Sequence, residues 1–437
     1  MRLAGVTTSE RITLWLFGSI SVLLRGLLTR IAKEQSLRLS RHKGVDCYKA
    51  IAILTLNALV LCAGLELAAR SSFKIRSLIS GPPKQLVAER NPREKVSYYS
   101  SQDWAETYWY EHQLSTQERY YPYVGWRRAP FKGKFIEIDQ KGIRLTPGAD
   151  CRAGSFKVFT FGESSMWGTG SPNWETIPAN LQKGFEKLRQ GPVCVTNFAE
   201  SAYVSTQDII MLLLQLQSGN IPDMVLFYDI AGDIPAGYQA GRPGVHANLD
   251  EIAARFERRA EPSAFVDLLR STSSYSLIAE LMDKLMIANP QQKEPTPGNL
   301  ATDKSMRLDI ANLSDRIVQD YSGTYTIVSA LAEKYGFKYY FFLPPNIFLG
   351  NKPLTSEEQE MRNKSEADAG FEQLFTAVYQ TIEEESSNYP NLYSMVHVFD
   401  NVDSLIWIDG GHVTPIGNQL IAKRMLEIIQ ARSSDKK

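Results

Sequence analysis

Short apolar runs alternate with stretches of helical periodicity over the C-terminal two-thirds of the chain. The apolar runs have the length of strands and lie at 157–161, 193–198, 224–230, 337–343 and 396–399. Apolar residues recur at helical spacing at 176–189, 206–218, 314–335, 366–386 and 414–430. Five strands that alternate with helices predict an α/β fold, a three-layer α/β/α sandwich around a five-stranded parallel sheet.

Two regions depart from this alternation. Residues 236–313 are too long for a plain connection, and we predict a helical insertion there. Residues 70–150 are polar and aromatic by turns, with short alternating runs such as Phe135–Asp139. We interpret them as a juxtamembrane linker with short helices, followed by a small β region. The α/β domain is then expected over residues 151–437.

The longest uncharged stretch lies near the N-terminus. No charged residue occurs from Ala50 to Leu65, and with residues 66–69 the run reaches 20 residues. That length matches the hydrocarbon thickness of a bilayer, so we predict a transmembrane helix at 50–69. A buried core helix is the alternative. The stretch begins too deep in the chain for a cleaved signal peptide, and no cleavage site is obvious.

Charge gives this helix a direction. The chain as a whole is balanced, with 48 basic and 48 acidic residues, so bulk charge does not indicate a nucleic-acid partner. The residues that precede the helix carry an excess of positive charge, from Arg30, Lys33, Arg38, Arg41, Lys43 and Lys49. By the positive-inside rule, residues 1–49 are cytoplasmic and the domain after residue 70 is extracytoplasmic, anchored in the cell membrane. A second apolar stretch, 12–24, is either a short second span or an interfacial helix.

Two polar segments carry candidate chemistry. Gly162-Glu163-Ser164-Ser165 follows the first strand, and Asp409-Gly410-Gly411-His412 lies close to the C-terminus. A phosphate-binding loop would have G-x-G-x-x-G or Gly-Lys-Ser/Thr, and a G-x-S-x-G elbow would have glycine at Met166; neither pattern is present. A serine followed much later by Asp-x-x-His suggests a nucleophile, with a base and an orienting carboxylate on one loop.

These segments together resemble the SGNH, or GDSL-type, hydrolase superfamily. The four blocks that carry the resemblance are residues 162–165, 197–207, 227–233 and 409–418, of which the last matches D-x-x-H-L-T-x-x-G-N most closely. Residues 65–70, 121–127 and 142–144 also resemble membrane-tethered bacterial members. The resemblance implies a flavodoxin-like fold, Ser164 as nucleophile, His412 as base and Asp409 as the residue that orients it.

The resemblance also implies the rest of the site. Backbone N–H groups of Ser164 and Ala202 would hold the oxyanion, and position 232 would supply a third donor. The substrate would be an O-acyl (acetyl) ester of a carbohydrate, polysaccharide or similar small molecule. No cofactor and no metal are expected, because no His, Cys or carboxylate cluster has ligand spacing. The oligomeric state is not predicted.

The chain departs from the family pattern at four positions, of which Glu163 in place of aspartate is the mild one. Ala199 and Ala202 replace glycines of the second block, and Ala202 is expected to supply its N–H if its φ is negative. Gly232 replaces an asparagine whose side chain donates to the oxyanion, a loss that typically costs about 10²–10³ in rate. Asn173 and Asn346 are candidate substitutes, and Gly232→Asn is expected to leave activity intact or raise it. The alternatives to a hydrolase are an O-acyltransferase and a catalytically impaired binding or assembly protein.

Two cysteines lie in the part expected outside the cytoplasm. Cys151 and Cys194 each stand at or just before a predicted strand, and those strands are expected to be neighbours. An oxidising compartment preserves disulfides, so we predict a bridge between them, with two buried free thiols as the alternative.

Overall fold

The computed structural model describes residues 45–79, 91–250, 252–253, 272, 274, 308–365 and 369–434. The chain forms two compact units, the first of Met1–Ala88 with Glu257–Thr296 and the second of Glu89–Phe256 with Pro297–Lys437. The predictions for the cytoplasmic segment up to residue 44, for the apolar stretch at 12–24 and for most of the 236–313 insertion lie outside the described residues.

The described part of the first unit is dominated by one long helix. Helix α1, Val45–Ile79, contains the predicted apolar stretch and extends beyond it at both ends. Its segment Ile51–Ser71 has 21 residues with a mean hydropathy of 2.1, and apart from the buried Ala69 its residues are exposed or partly exposed. A core helix would bury its apolar side chains, whereas this helix is long and apolar enough to cross a membrane.

The second unit contains every described strand. The strands are β1 Glu118–Tyr121, β2 Gly125–Arg128, β3 Phe131–Lys132, β4 Glu137–Ile138, β5 Phe156–Gly162, β6 Val193–Asn197, β7 Met224–Tyr228, β8 Lys338–Leu343 and β9 Leu392–Ser394. The helices, α2 to α11 in chain order, are Ser97–Ser100, Ala105–Leu114, Ser164–Trp167, Ile177–Leu188, Ser205–Gln217, Asp233–Ala240, Ile310–Tyr335, Ser356–Ser365, Ala369–Glu384 and Pro415–Ser434. Short 3₁₀ helices lie at Pro92–Lys95, Asn173–Glu175 and Ser386–Asn388.

The central sheet has five parallel strands in the order β6-β5-β7-β8-β9. Alternate residues of each strand face opposite layers, so that Val158 enters one hydrophobic core and Phe159 and Phe161 enter the other. Helices α5 and α11 cover the first face, and α6, α8 and α10 cover the second. This is a doubly wound, flavodoxin-like order, and the predicted three-layer α/β fold is confirmed.

The edge of the sheet differs from the prediction. The fifth strand is β9, Leu392–Ser394, whereas residues 396–399 form turns. Val396 and Phe399 are buried in different core clusters, which explains an apolar run that is not a strand. The helix expected at 366–386 is observed as α10, Ala369–Glu384, preceded by the separate helix α9, Ser356–Ser365.

The residues before the sheet pack against it. Tyr99, Tyr108 and Trp109 of helices α2 and α3 are buried in the same core cluster as the first sheet face, and so are Phe135 and Ile136. The two short hairpins, β1-β2 and β3-β4, are antiparallel. Residues 91–150 are therefore part of the compact second unit, because their aromatic side chains complete one of its cores.

A disulfide bond joins Cys151 and Cys194, with their Cα atoms 4.8 Å apart. The N–H of Asp150 donates to the carbonyl of Val193 (2.9 Å), which brings Cys151 beside the start of β6. The bond closes 43 residues, and a loop of that length stabilises the fold by roughly 4 kcal/mol in the chain-entropy model.

Candidate active site

Ser164 is the first residue of the short helix α4, directly after the turn that follows β5. Gly162 ends the strand with φ +145°, and a Cβ there would stand 2.2 Å from the carbonyl oxygen of Tyr228 on the neighbouring strand. Only glycine fits such a close approach of two backbones, so the turn is sharp. The turn therefore presents Ser164 at the carboxyl edge of the sheet, where ligands of doubly wound folds bind.

Three side chains from distant parts of the sequence meet at this edge. Ser164 Oγ lies 2.7 Å from His412 Nε2. On the other side of the imidazole, His412 Nδ1 lies 2.8 Å and 2.9 Å from the two carboxyl oxygens of Asp409. A hydroxyl, an imidazole and a carboxylate in this order form a chain through which the imidazole can take the hydroxyl proton.

Asp409 is held by more than the histidine. Its Oδ1 accepts hydrogen bonds from the backbone N–H groups of Gly411 (2.9 Å) and His412 (2.7 Å), and its Oδ2 accepts one from Arg93 Nε. Burial by itself raises the pKa of the Asp409 carboxyl, but Arg93, His412 and the N–H of Gly411 outweigh burial. The pKa of Asp409 consequently lies well below its ordinary value, and the group is a carboxylate throughout the neutral range.

The loop that carries Asp409 and His412 is fixed on both sides. Ser165 Oγ donates to the carbonyl of Gly411 (3.2 Å), and the N–H of Ile347 donates to the carbonyl of Gly410 (3.1 Å). The loop then enters helix α11, which begins at Pro415, as the Thr-Pro sequence predicts. The imidazole of His412 is thus carried by a loop that is hydrogen-bonded to Ser165 and to the loop after β8.

The second-block loop supplies a candidate oxyanion donor in an unexpected backbone conformation. Ala202 has φ +61°, in the left-handed region, where an alanine costs roughly 1–2 kcal/mol. The condition of a negative φ, on which the expected role of this N–H depended, is not met, because the loop keeps the conformation that a glycine would adopt. Among the residues that the structure describes, neither the N–H of Ala202 nor that of Ser164 donates to an acceptor, which leaves both available to a ligand.

Buried arginines brace the loops around the site. Arg127 Nη1 donates to the carbonyl of Phe198 (2.9 Å), and Arg128 Nη2 donates to Ser201 Oγ (2.8 Å). Arg144 Nη1 donates to the carbonyl of Gly168 (2.7 Å), just beyond the nucleophile helix. The stretches 121–127 and 142–144 therefore fix the second-block loop and the end of helix α4.

Position 232 is closed to a side chain. Gly232 has φ −83° and ψ −33°, which any residue adopts, but a Cβ there would stand 2.2 Å from the carbonyl oxygen of Tyr203. The expectation that Gly232→Asn would restore a missing donor is therefore revised, since the asparagine cannot enter without displacing the backbone of the second-block loop.

We expect Gly232→Asn to lower stability by about 1–3 kcal/mol, as overpacking does, and not to raise activity. Thermal unfolding and kcat/KM for a small ester measure both effects. Gly323→Asn is the matched control, because a Cβ on Gly323 meets nothing within 4 Å. An unchanged melting temperature together with a raised kcat/KM in Gly232→Asn would show that the site accepts the donor.

The two candidate substitutes for that donor have different surroundings. Asn173 Oδ1 accepts a hydrogen bond from Arg144 Nε (2.9 Å), which gives Asn173 a role in holding that arginine. Asn346 Oδ1 accepts from the N–H of Phe348 (3.0 Å), and its Nδ2 lies 3.9 Å from the place of a Cβ on Gly411. Nδ2 has no acceptor among the described residues, so Asn346 is the better candidate.

Four buried carboxyl groups interact with one another beside the nucleophile turn, those of Glu163, Asp208, Asp229 and Asp233. Burial, followed by the charge of Asp229, raises the pKa of Glu163 and of Asp208 well above their ordinary values, and burial does the same for Asp229. Burial raises the pKa of Asp233 to about 6, against hydrogen bonds from Ser205. The raised pKa values of Glu163, Asp208 and Asp229 favour the neutral forms of these carboxyl groups, which lessens the negative charge near an oxyanion.

Arg93 is the residue that the sequence analysis missed. It lies in a short 3₁₀ helix within the region interpreted as a linker, 316 residues before Asp409 in the sequence. No motif marks it.

For a metal, no cluster of three or more His, Cys, Asp or Glu side chains with a suitable arrangement is found in the described part of the chain.

Comparison with known proteins gives fold-level likenesses. No protein-family model matches the sequence, and no curated protein matches it. The similar solved structures include an acetyl xylan esterase, a lipase and lipolytic proteins of the G-D-S-L family. A GDSL-family lipolytic protein from Veillonella parvula is 10% identical over 63% of this chain and 98% of its own, with a TM-score of 0.33. An acetylxylan esterase from Geobacillus stearothermophilus, crystallised as a catalytic mutant, is 13% identical over 65% and 95%, with a TM-score of 0.31.

Proposed function

We propose that the chain is a membrane-anchored serine ester hydrolase of the SGNH type. The observation that carries this proposal is the contact of Ser164 Oγ with His412 Nε2 at 2.7 Å, with Asp409 on the other ring nitrogen. A serine without a catalytic role is not expected to contact a histidine that a carboxylate holds in place. The resemblance of four sequence blocks to the superfamily supports the same reaction.

The proposed reaction is acyl transfer through the serine. Ser164 Oγ attacks the ester carbonyl while His412 takes its proton, and the imidazolium then returns that proton to the leaving alcohol. Water, activated by the same histidine, releases the acid from the acyl-enzyme. The N–H groups of Ser164 and Ala202 stabilise the oxyanion, and Asn346 Nδ2 is the candidate third donor.

The proposed substrates are O-acyl esters, with an acetylated carbohydrate or a similar molecule as the preferred class. The sequence resemblance supports this class. Ser164, Gly411 and His412 are all partly exposed, so a bulky alcohol group can approach the reacting atoms. An O-acyltransferase would use the same acyl-enzyme with a sugar hydroxyl in place of water. A binding or assembly protein, the remaining alternative, is favoured only by the missing side-chain donor at Gly232.

A single experiment separates enzyme from binding protein. The full chain in detergent is incubated with p-nitrophenyl acetate and, separately, with a fluorescent fluorophosphonate that reacts with activated serines. We expect release of p-nitrophenol and covalent labelling of the chain. Absence of both, with a folded protein, would contradict the hydrolase and favour the binding protein.

The proposed location is the cell membrane, with the second unit outside the cytoplasm. Helix α1 is long and apolar enough to span, and basic residues precede it. We expect alkaline phosphatase fused after residue 90 to be active and green fluorescent protein at the same point to be dark. Fusions after residue 44 serve as the control and should give the reverse pattern. Phosphatase activity at residue 44 and fluorescence at residue 90 would reverse the orientation.

A further inference from the structure

We propose that Arg93 is a positioning residue of the active site, which fixes the carboxylate of Asp409 for His412. The inference rests on the proposed function, because the group that Arg93 holds is the one assigned to orient the base. It assigns a role in the reaction to the short segment 91–100, which the sequence alone suggests is part of a linker.

The first support is the geometry of the carboxylate. Asp409 Oδ1 accepts from two backbone N–H groups of its own loop, but Oδ2 has only two polar contacts among the described residues. One is the imidazole of His412, and the other is Arg93 Nε. Without Arg93, Oδ2 would have no partner besides the imidazole, and the carboxylate could rotate about its Cβ–Cγ bond. A misplacement of about 1 Å in a catalytic group costs about 10²-fold in rate.

The second support is that the backbone around Arg93 is itself fixed. Asn91 Oδ1 caps the 3₁₀ helix by accepting from the N–H of Arg93 (3.1 Å). A few residues later, the N–H of Ser97 donates to Glu357 (3.0 Å), and Tyr99 Oη donates to the carbonyl of Gly170 (2.8 Å). These contacts lie on different elements of the second unit, so the arginine is presented from a stationary turn.

The third support is that the pair is partly open to water. The side chains of Arg93 and Asp409 are 28% and 29% exposed, and water screens an ion pair in this position, so that it contributes less to folding than a buried pair. Loss of Arg93 is therefore expected to change the reaction more than the fold.

The charge of Arg93 also sets how strongly Asp409 favours a protonated imidazole. The guanidinium offsets part of the carboxylate charge, so its removal strengthens the attraction between Asp409 and the imidazolium. The other groups that face this pair are Ser164 on α4, Tyr99 on α2 and His112 on α3. Burial raises the pKa of Tyr99 and lowers that of His112, so both of these groups are neutral at neutral pH. Among the residues that the structure describes, Arg93 is thus the cation outside the Asp409–His412 loop that lowers the pKa of Asp409.

The test compares Arg93→Gln and Arg93→Lys with the wild-type full chain in detergent, using p-nitrophenyl acetate from pH 5 to 9. For Arg93→Gln we expect kcat to fall about 10–100-fold, with KM within about twofold because this substrate is neutral. We also expect the acid limb of kcat/KM to move to higher pH by about 0.5–1 pH unit. Arg93→Lys should restore part of kcat and most of the acid limb, because it keeps the charge.

Two controls separate an effect at Arg93 from a general effect of removing an arginine and from misfolding. Arg424→Ala removes an exposed arginine that pairs with Glu427 on α11 and should leave kcat and the pH profile unchanged. Melting temperatures identify any variant that fails to fold. Unchanged kcat and acid limb in folded Arg93→Gln would overturn the proposal. A rise in KM alone would also overturn it and make Arg93 a substrate contact.

A measurement without turnover separates this inference from the proposed function. The chain has five histidines, and His412→Gln identifies the ring signal of His412 in a nuclear magnetic resonance titration. We expect that signal to titrate at higher pH in Arg93→Gln than in the wild type, even if the wild type cleaves no ester. Identical titration curves would overturn the role of Arg93, whereas absent turnover with a shifted curve would count against the esterase alone.

Discussion

Replacing Ser164 with alanine is expected to abolish fluorophosphonate labelling and to reduce ester cleavage by about 10⁴–10⁶-fold. Serine hydrolases lose rates of this order when the nucleophile is removed, and the residual rate comes from binding and oxyanion donors. The histidine that lies 2.7 Å from Ser164 Oγ would then have no hydroxyl to deprotonate. Labelling is measured by in-gel fluorescence, and cleavage by release of p-nitrophenol.

The neighbouring serine is the matched control for this substitution. Ser165 Oγ donates to the carbonyl of Gly411 and does not face the imidazole. Ser165→Ala should therefore keep the label and lose no more than about tenfold in rate, the value of one hydrogen bond. Labelling that survives Ser164→Ala, or that disappears only in Ser165→Ala, would remove Ser164 from the reaction.

The central part of the fold was predictable because its strands are buried on both faces. Residues 156–162, 193–197, 224–228 and 338–343 are mostly apolar, and such runs are typical of parallel strands between two helical layers. The edge strand Leu392–Ser394 has three residues and one exposed serine, so it carries no comparable signal. Val396 and Phe399, two buried residues of the turn that follows, are more apolar, and the strand was therefore predicted at 396–399.

The parts of the site that sequence could not give depend on contacts between backbones or between distant residues. Gly232 looks like a missing donor in the sequence, and only the structure shows that the carbonyl of Tyr203 occupies the place of its side chain. Ala202 gives no sign in the sequence of its left-handed φ. Arg93 reaches Asp409 across 316 residues, and a single arginine at the start of a 3₁₀ turn has no distinguishing pattern.

The comparison of Gly232 and Ala202 also bears on how active the site is. Alanine in the left-handed region points its N–H as a glycine would, so the donor proposed for the second block would be kept at the expense of local strain. The third-block donor is not kept in the same way, since the close approach of Tyr203 excludes any side chain at 232. We therefore expect an esterase with a reduced oxyanion contribution, compensated to the extent that Asn346 supplies a hydrogen bond.

The substitution Asp409→Asn is expected to lower kcat by about 10⁴-fold while the chain stays folded. An amide at this position cannot stabilise the imidazolium. Nor can it stabilise the tautomer that leaves His412 Nε2 free to accept the serine proton. The corresponding Asp→Asn substitution lowers kcat by about 10⁴-fold in serine proteases. In this chain the amide also leaves Arg93 facing a neutral group. The measurement is kcat for p-nitrophenyl acetate at pH 8, beside a thermal unfolding curve.

A second Asp–His pair in the same chain provides the control for Asp409→Asn. His397 Nδ1 lies 2.8 Å from Asp400 Oδ2, also at a spacing of three residues, but on an exposed turn where no serine meets the imidazole. Asp400→Asn should therefore leave kcat within about twofold. The pKa of Asp409 lies well below its ordinary value. The contribution of its carboxylate to folding stability is therefore complete above about pH 4 and is lost only in stronger acid. If Asp409→Asn kept more than about a tenth of the wild-type kcat, His412 would have to be oriented by another group, and the proposed roles of Asp409 and Arg93 would both be excluded.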